Sequence, residues 1–425
     1  MSAFQDFIDL QQPVSDGGIE SVNFFNGRLL TGGDMAREQS ARRNSEGRLG
    51  EALGDGIAFG FEVSAQPPDA NDTLASILVQ PGLAISRTGH VLRLAQSERI
   101  RLSRTDSTNF ATSGCSFDDC VPLAGGTYVA GEGLYLLTIA PAEVAAGRAP
   151  SNGSGATGTP CDVDRRIDGV QFRLLEIPSS LYADLPVTAP DFRNQIAYRC
   201  FGPGVLVDWS TNLLASSARV DGLLDKMADY GFAAQEVPLA LIGFQGAAEL
   251  TLLDAWSVRR PLALADPIGA FRSATAPRRI ATGRAMLAQF QAQLDDLVAA
   301  NTPALKARTH FPNLPPVGVL PRMTPDQGKD FFGGMEIRGP VHINSATVEL
   351  LIRESLAFPA IRSADIEIVW LYAVAENLIA GTKAMADGTK VDPYLVFASA
   401  NLAYRGDARF NLHRWNYANY ALGGG

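Results

Sequence analysis

Residues 33–53 read as a helix with almost nothing of its own to bury. Thr31 followed by Asp34 makes a capping-box-like start, a side-chain oxygen for the orphan N–H groups and an acid at the positive helix end. The seam that follows is Met35, Gln39, Arg42, Glu46, Leu49 and Leu53, apolar only at its ends. Glu38, Arg42 and Glu46 stand four residues apart and can pair along one face. A helix this polar is either fully solvated or packed on a partner through polar contacts, and the partner reading is preferred. Phe24, Phe25, Arg28, Asp34, Glu38, Gln39, Arg42 and Glu46 are therefore the expected protein-interface residues.

Around this helix the patterns are those of short strands. Val22–Leu30 is an apolar run turned at Asn26-Gly27. Residues 56–63 read as a strand, 76–94 as a hairpin with its turn at Arg87-Thr88-Gly89, and 98–102 as a half-buried alternating strand. Gly133–Ile139, Val170–Ile177, Glu236–Phe244 and Leu250–Val258 continue the series, while 178–235 is more helical or irregular. Residues 148–160 read as a surface loop and Ser210/Thr211 as a helix start. The 41 glycines and 25 prolines in 425 residues exceed the average share of about 12% and suit many turns rather than a helical bundle.

The second helix is amphipathic. Met286, Phe290, Leu294, Leu297 and Val298 form one stripe on residues 282–300. His310–Pro321 then carries four prolines, which forbid a helix and favour an extended, stiff connector. Past it, Asn344 or Ser345 caps a helix over 348–356, and 366–375, 394–399 and 410–420 read as strands. The expected fold class is α+β and β-rich, with several small antiparallel β units, a polar N-terminal helix and one amphipathic helix before a Pro-rich connector. The expected division is residues 1–125 (arm, polar helix, β unit), 126–275 (central β-rich), 276–325 (amphipathic helix and connector) and 326–425 (C-terminal α+β).

The net charge of −9 makes a poor partner for polyanionic nucleic acid. The adjacent arginines at 42/43, 165/166, 259/260 and 278/279 read as solvated surface or interface. The first residues, MSAFQDFIDLQQPVSDGG, lack a basic region and an uninterrupted apolar core, and no stretch approaches the roughly 18 apolar residues of a membrane span. The expectation is cytoplasmic assembly without membrane insertion, with release by cell lysis.

A search for chemistry yields little. Gly328-Lys329 is followed by Asp330 with Met at 323, so the phosphate loop is missing, and Gly54-Asp55-Gly56…Gly60 has the wrong spacing for a dinucleotide fingerprint. Neither G-x-S-x-G nor H-E-x-x-H occurs. His90, His310, His342 and His413 are scattered and read as turn or core-edge residues. Cys115, Cys120, Cys161 and Cys200 are the candidate metal ligands; four thiolates can hold zinc, but the C-x-x-C knuckle is missing, and disulfides or ordinary thiols remain open. Asp162-x-Asp164…Asp168 lacks the Gly and distal Glu of a calcium loop and reads as a solvated turn. No cofactor is expected.

Asn23–Val63, NFFNGRLLTGGDMAREQSARRNSEGRLGEALGDGIAFGFEV, and the run from Val79 to Leu92 resemble a pattern of accessory proteins of phage tails and extracellular contractile injection systems. Val237–Ile242, Leu253–Arg260, Phe311–Gly318 and Phe331-Phe332-Gly-Gly agree with it. Gly32-Gly33 departs from it, where better helix formers are the norm. The resemblance implies a non-catalytic baseplate, fibre-base or spike-surrounding component, whose partners are other structural proteins of the particle and whose copies form a trimer or sixfold set, closed symmetry being the usual way to repeat one interface. A receptor- or glycan-binding fibre module is the alternative, and a carbohydrate-active enzyme with an unmarked carboxylate pair the second.

Overall fold

A computed structural model describes residues 18–66, 75–102, 132–150, 161–202, 222–245, 249–264, 277–303, 305–321, 323–366, 368–374 and 394–399. The first of the five longer helices, α1 (Gly32–Leu53), starts as its sequence dictates. Thr31 is the N-cap, its hydroxyl accepts from the Asp34 N–H, and the Asp34 carboxylate accepts from the Thr31 N–H. The Asn26-Gly27 turn forms, with Gly27 at φ 88°.

The expected strand over 56–63 is broken in two, β1 (Gly56–Gly60) and β2 (Val63–Gln66), at Phe61, which is fully buried with φ 59°. The run from Ser76 is likewise divided by Pro81, which has no N–H to give a ladder. Its halves β3 (Ser76–Val79) and β4 (Gly82–Ile85) join different sheets. With β5 (Val91–Leu94) and β6 (Glu98–Arg101) they make two three-stranded antiparallel sheets, β1-β4-β5 and β2-β3-β6. The hairpin expected through Arg87-Thr88-Gly89 is therefore β4–β5.

The central sheet is built on β7 (Gly133–Pro150) and β8 (Cys161–Ile177), far longer than the expected strands and paired throughout. β9 (Val237–Gln245) pairs with Gly133–Ile139 of β7, and β10 (Glu249–Asp254) closes the order β10-β9-β7-β8. Alternation decides the two faces. Tyr135, Leu137 and Ile139 pack with Phe61, Ile77 and Leu92 of the N-terminal sheets. Leu134 and Leu136 face α2 (Phe192–Phe201) with Ile196, Cys200 and Met227. Beyond Ile139 the hairpin leaves the sheet: residues 140–150 and 161–171 pair only with each other among the described strands. Asp162 to Asp168 thus lie in a strand, not a turn.

The amphipathic helix is α3 (Pro277–Ala299), with Phe290 and Leu294 fully buried as expected and Val298 exposed. Each buried side chain of this size stabilises by about 1.5–3 kcal/mol. The Pro-rich stretch is extended but is no connector. Leu314 belongs to β11 (Asn313–Leu314), and Val317–Leu320 is β12, an edge strand of a second core. Phe311, Leu314 and Leu320 are buried there, because spaced prolines leave the residues between them free to extend and pack. Past the short helix α4 (Pro325–Phe331) come β13 (Glu336–Ile343), α5 (Ser345–Ser355, capped by Asn344), β14 (Ile361–Arg362), β15 (Ile368–Val374) and β16 (Tyr394–Ser399). The sheet order is β12-β16-β15-β13 and β11 pairs with β14. β13 and β15 run parallel, the one exception to the antiparallel expectation among the described strands. α3 covers one face through Phe290 and α5 the other through Leu351.

Buried polar groups tie the two cores together. Asp254 accepts from Arg193 Nε (2.6 Å), Gln289 Nε2 (3.2 Å) and the N–H and hydroxyl of Ser257, and Arg193 also bonds Asp296. Asn194 exchanges two bonds with the Asn313 backbone. Two arginine pairs expected at the surface are partly drafted into this work. Arg259 is buried and donates to the Gly60 and Phe61 carbonyls, and Arg278 bonds Asp55. The protein is α+β and β-rich, as its patterns require.

Candidate functional site

Only Asp34, Ala41 and Gly50 of the 22 residues of α1 are buried. The helix is held at its ends, by an ion pair from Arg43 to Glu143 and by one backbone contact. Gly50 and Gly47 lie against the backbone of Gly89 in the β4–β5 turn, leaving no room for a Cβ on Gly50 or Gly89. Gly89 also has φ 75°, which favours glycine. Only glycine allows so close an approach, and that accounts for Gly50 in an otherwise helix-forming sequence.

At the N-terminal end the chain before α1 is latched back onto it. Arg28 bonds Asp34 (2.7 Å) and the Asn23 carbonyl (2.7 Å), and its guanidinium lies 5.9 Å from the Phe25 ring centroid. Arg37 adds a longer contact to Asp34 (3.5 Å). The Thr31 hydroxyl, then the Thr31 N–H, then Arg28 stabilise the Asp34 carboxylate and hold its pKa down to about 2. Glu38 accepts from the Val22 N–H.

The structure sorts the expected interface residues into two kinds. Asp34 is buried, Arg28 and Glu38 are half-buried, and all three spend their polar groups on the latch, so they position the segment rather than face a partner. Phe24 and Phe25 are 52% and 62% exposed, and Gln39, Arg42 and Glu46 are exposed. Arg42 pairs with Glu46 at 3.0 Å; Glu38 turns to Val22 instead of joining them. Leu29 and Leu30, not singled out from the sequence, are 89% and 54% exposed and extend the apolar strip beside Phe24 and Phe25. The signal was present: two apolar pairs flank a tight turn.

The second feature is the ribbon formed by the far halves of β7 and β8, which pairs with no third strand among the described residues. Val144 and Ile167, directly opposite in register, are 60% and 50% exposed. Glu143 bridges Arg166 across the ribbon and Arg43 of α1, each at 3.1 Å, so helix and ribbon are linked. A two-stranded ribbon is marginal alone in water.

The two cysteines among the described residues, Cys161 and Cys200, do not converge. Cys200 sits at the root of the hairpin, in the cluster with Leu134 and Ile177, and burial pushes its thiol up to about 12. Cys161 is at the tip, sixteen strand residues before Ile177, or about 50 Å at some 3.3 Å per residue. One zinc ion cannot bind both. Cys115 and Cys120 lie outside the described residues. Among the described residues no three His, Cys, Asp or Glu side chains gather as a metal site. His310 is buried, His90 sits at the β4–β5 turn and His342 is exposed on β13; His413 lies outside the described residues, as do residues 151–160 of the expected loop, 210–211 and the strand expected over 410–420.

No helix of the described residues is long and apolar enough to cross a membrane. No family model matches the chain, and no curated protein does. What fold and site define is an α+β protein that presents an unburied helix, an apolar strip and a projecting ribbon.

Proposed function

We propose that this protein is a structural component of a contractile, phage-tail-like injection particle, docking on baseplate or spike proteins through its N-terminal helix, with no catalytic role. The observation that carries the reading is α1 itself. A solvated helix of 22 residues with three buried, latched and capped so that it keeps its place, is a surface prepared for contacts outside its own fold. It coincides with Asn23–Val63, the stretch whose pattern resembles accessory proteins of such particles. The ribbon supplies a second contact, and copies of the chain are expected as a trimer or sixfold set, assembled in the cytoplasm and released by lysis.

The test is co-expression with the structural proteins encoded beside it, followed by purification of particles and imaging of the labelled chain. Incorporation that falls sharply when Phe24, Phe25 and Arg42 are replaced supports the reading. A chain that stays monomeric and never co-purifies with its neighbours overturns it, and reproducible hits on a glycan array would move the assignment to a receptor-binding module.

A further inference from the structure

A groove of about 740 Å³ runs between α3 and α5, with Trp256 as a third wall backed by the Arg259 guanidinium 5.0 Å from its ring centroid. One wall is a single stripe of α3, Arg284, Leu287, Ala288, Gln291, Ala292 and Asp295, at helical spacings of three and four. The facing wall is a stripe of α5, Glu349, Ile352 and Arg353, ending on Leu356. The groove is shut at one end, where Gly283 abuts the Leu356 backbone so closely that no Cβ fits.

Its polar groups are not equally committed. Glu349 and Arg353 neutralise each other at 2.7 Å, and both ends of the Gln291 amide are spent on Val319. Arg284 and Asp295 have no ion-pair or hydrogen-bond partner among the described residues. They stand eleven positions apart on one helix face, about 16 Å at 1.5 Å per residue. An added strand is a poor occupant, since the Val319 N–H and carbonyl are already used and Pro321 has no N–H. Two ridged helical walls, one of them opened by the small residues Ala288 and Ala292, seat a helix.

We propose that this groove docks an amphipathic helix of a partner protein, one that places an acid against Arg284 and a base eleven residues away against Asp295, with small apolar residues between. The inference does not depend on the kind of particle.

The probe is a labelled 15-residue helical peptide with Glu at position 2, Lys at position 13 and Leu or Ala on the face between, titrated against the full chain by fluorescence anisotropy. A second peptide has the two charges exchanged. Saturable binding is expected, weakened about fivefold by the exchange, with the preference inverted in the double variant Arg284→Glu/Asp295→Lys. Both of those residues are exposed, so this variant tests the groove without threatening the core. Ala292→Arg fills the groove and should abolish binding while thermal melting confirms a folded chain. No saturable binding, or binding indifferent to charge order, overturns the proposal. So does self-association of the chain that Ala292→Arg abolishes, since the occupant would then be a second copy.

Discussion

Gln291 pairs with Val319 as though it were a strand: its Nε2 donates to the Val319 carbonyl and its Oε1 accepts the Val319 N–H, both at 2.8 Å. β12 is an edge strand, and an edge with free backbone groups invites another chain to pair with it. A side chain of α3 blocks that position. Gln291→Leu keeps the shape and removes both bonds. It should cost about 1–2 kcal/mol, read as a lower urea midpoint, and raise the rate of thioflavin-positive aggregation on mild heating.

Asp254 is the hub between the two cores, and its side chain is 1% exposed. Asp254→Ala takes the shared acceptor from Arg193, Gln289 and Ser257 while Arg193 keeps Asp296, and should cost about 2–3 kcal/mol. Asp254→Asn keeps an acceptor and should cost clearly less. Chemical denaturation of the two variants separates charge from shape.

At the α1 docking point, Gly50→Ala puts a methyl group into the Gly89 backbone. The helix must lift or the β4–β5 turn must move, an overpacking cost of about 1–3 kcal/mol. The damage should be local. Hydrogen exchange is expected to accelerate in α1 and the β4–β5 turn while the sheet core around Leu136 and Ile242 keeps its protection.

Asp34 makes the latch acid-sensitive. Folding holds its carboxyl at about 2, below the usual value of about 3.9. The latch therefore contributes in full above about pH 4 and is lost as pH falls through 2. Limited proteolysis with an acid-active protease should cut the segment before α1 more readily at pH 2 than at pH 4. In Asp34→Asn the cutting should already be fast at pH 4 and should change little between the two.

Cys200, with its thiol at about 12, should resist alkylation at pH 8 for hours in the native chain, because only the thiolate reacts. Peptide mapping after iodoacetamide treatment checks this. Modification of Cys200 in native protein as fast as in urea would show that the cluster around it opens freely.

Local chemistry made part of this fold legible. Thr31 with Asp34 and Asn344 with Thr347 are caps that need only four neighbouring residues, and the helices start where they point. The stripe of Met286, Phe290 and Leu294 reports the face that is buried. Long-range partners were another matter. Ala142–Ala149 shows no strand alternation, and its identity as strand comes from the facing residues of β8, not from its own pattern. The prolines of 312–321 mark extension but cannot say whether the extended chain bridges or pairs; β16, about 80 residues on, decides it. At the candidate interface, the sequence placed the helix and its capped start. It could not divide latch residues from outward ones, because Asp34 and Glu46 are both acids on the helix and differ in what folds back over them. The groove beside Trp256 was invisible for the same reason: the lining residues of its two helical walls are more than fifty positions apart.

The ribbon also gives the molecule a lever arm. Ten steps beyond Ala140 carry its tip about 33 Å past the central sheet. A body with such an outrigger drags more solvent than a sphere of 45.3 kDa. The chain should elute from a sizing column ahead of compact standards of the mass that light scattering, which reads mass without shape, returns for the same peak. Shortening the hairpin at matched positions of β7 and β8 would then move the peak later by more than the lost mass explains.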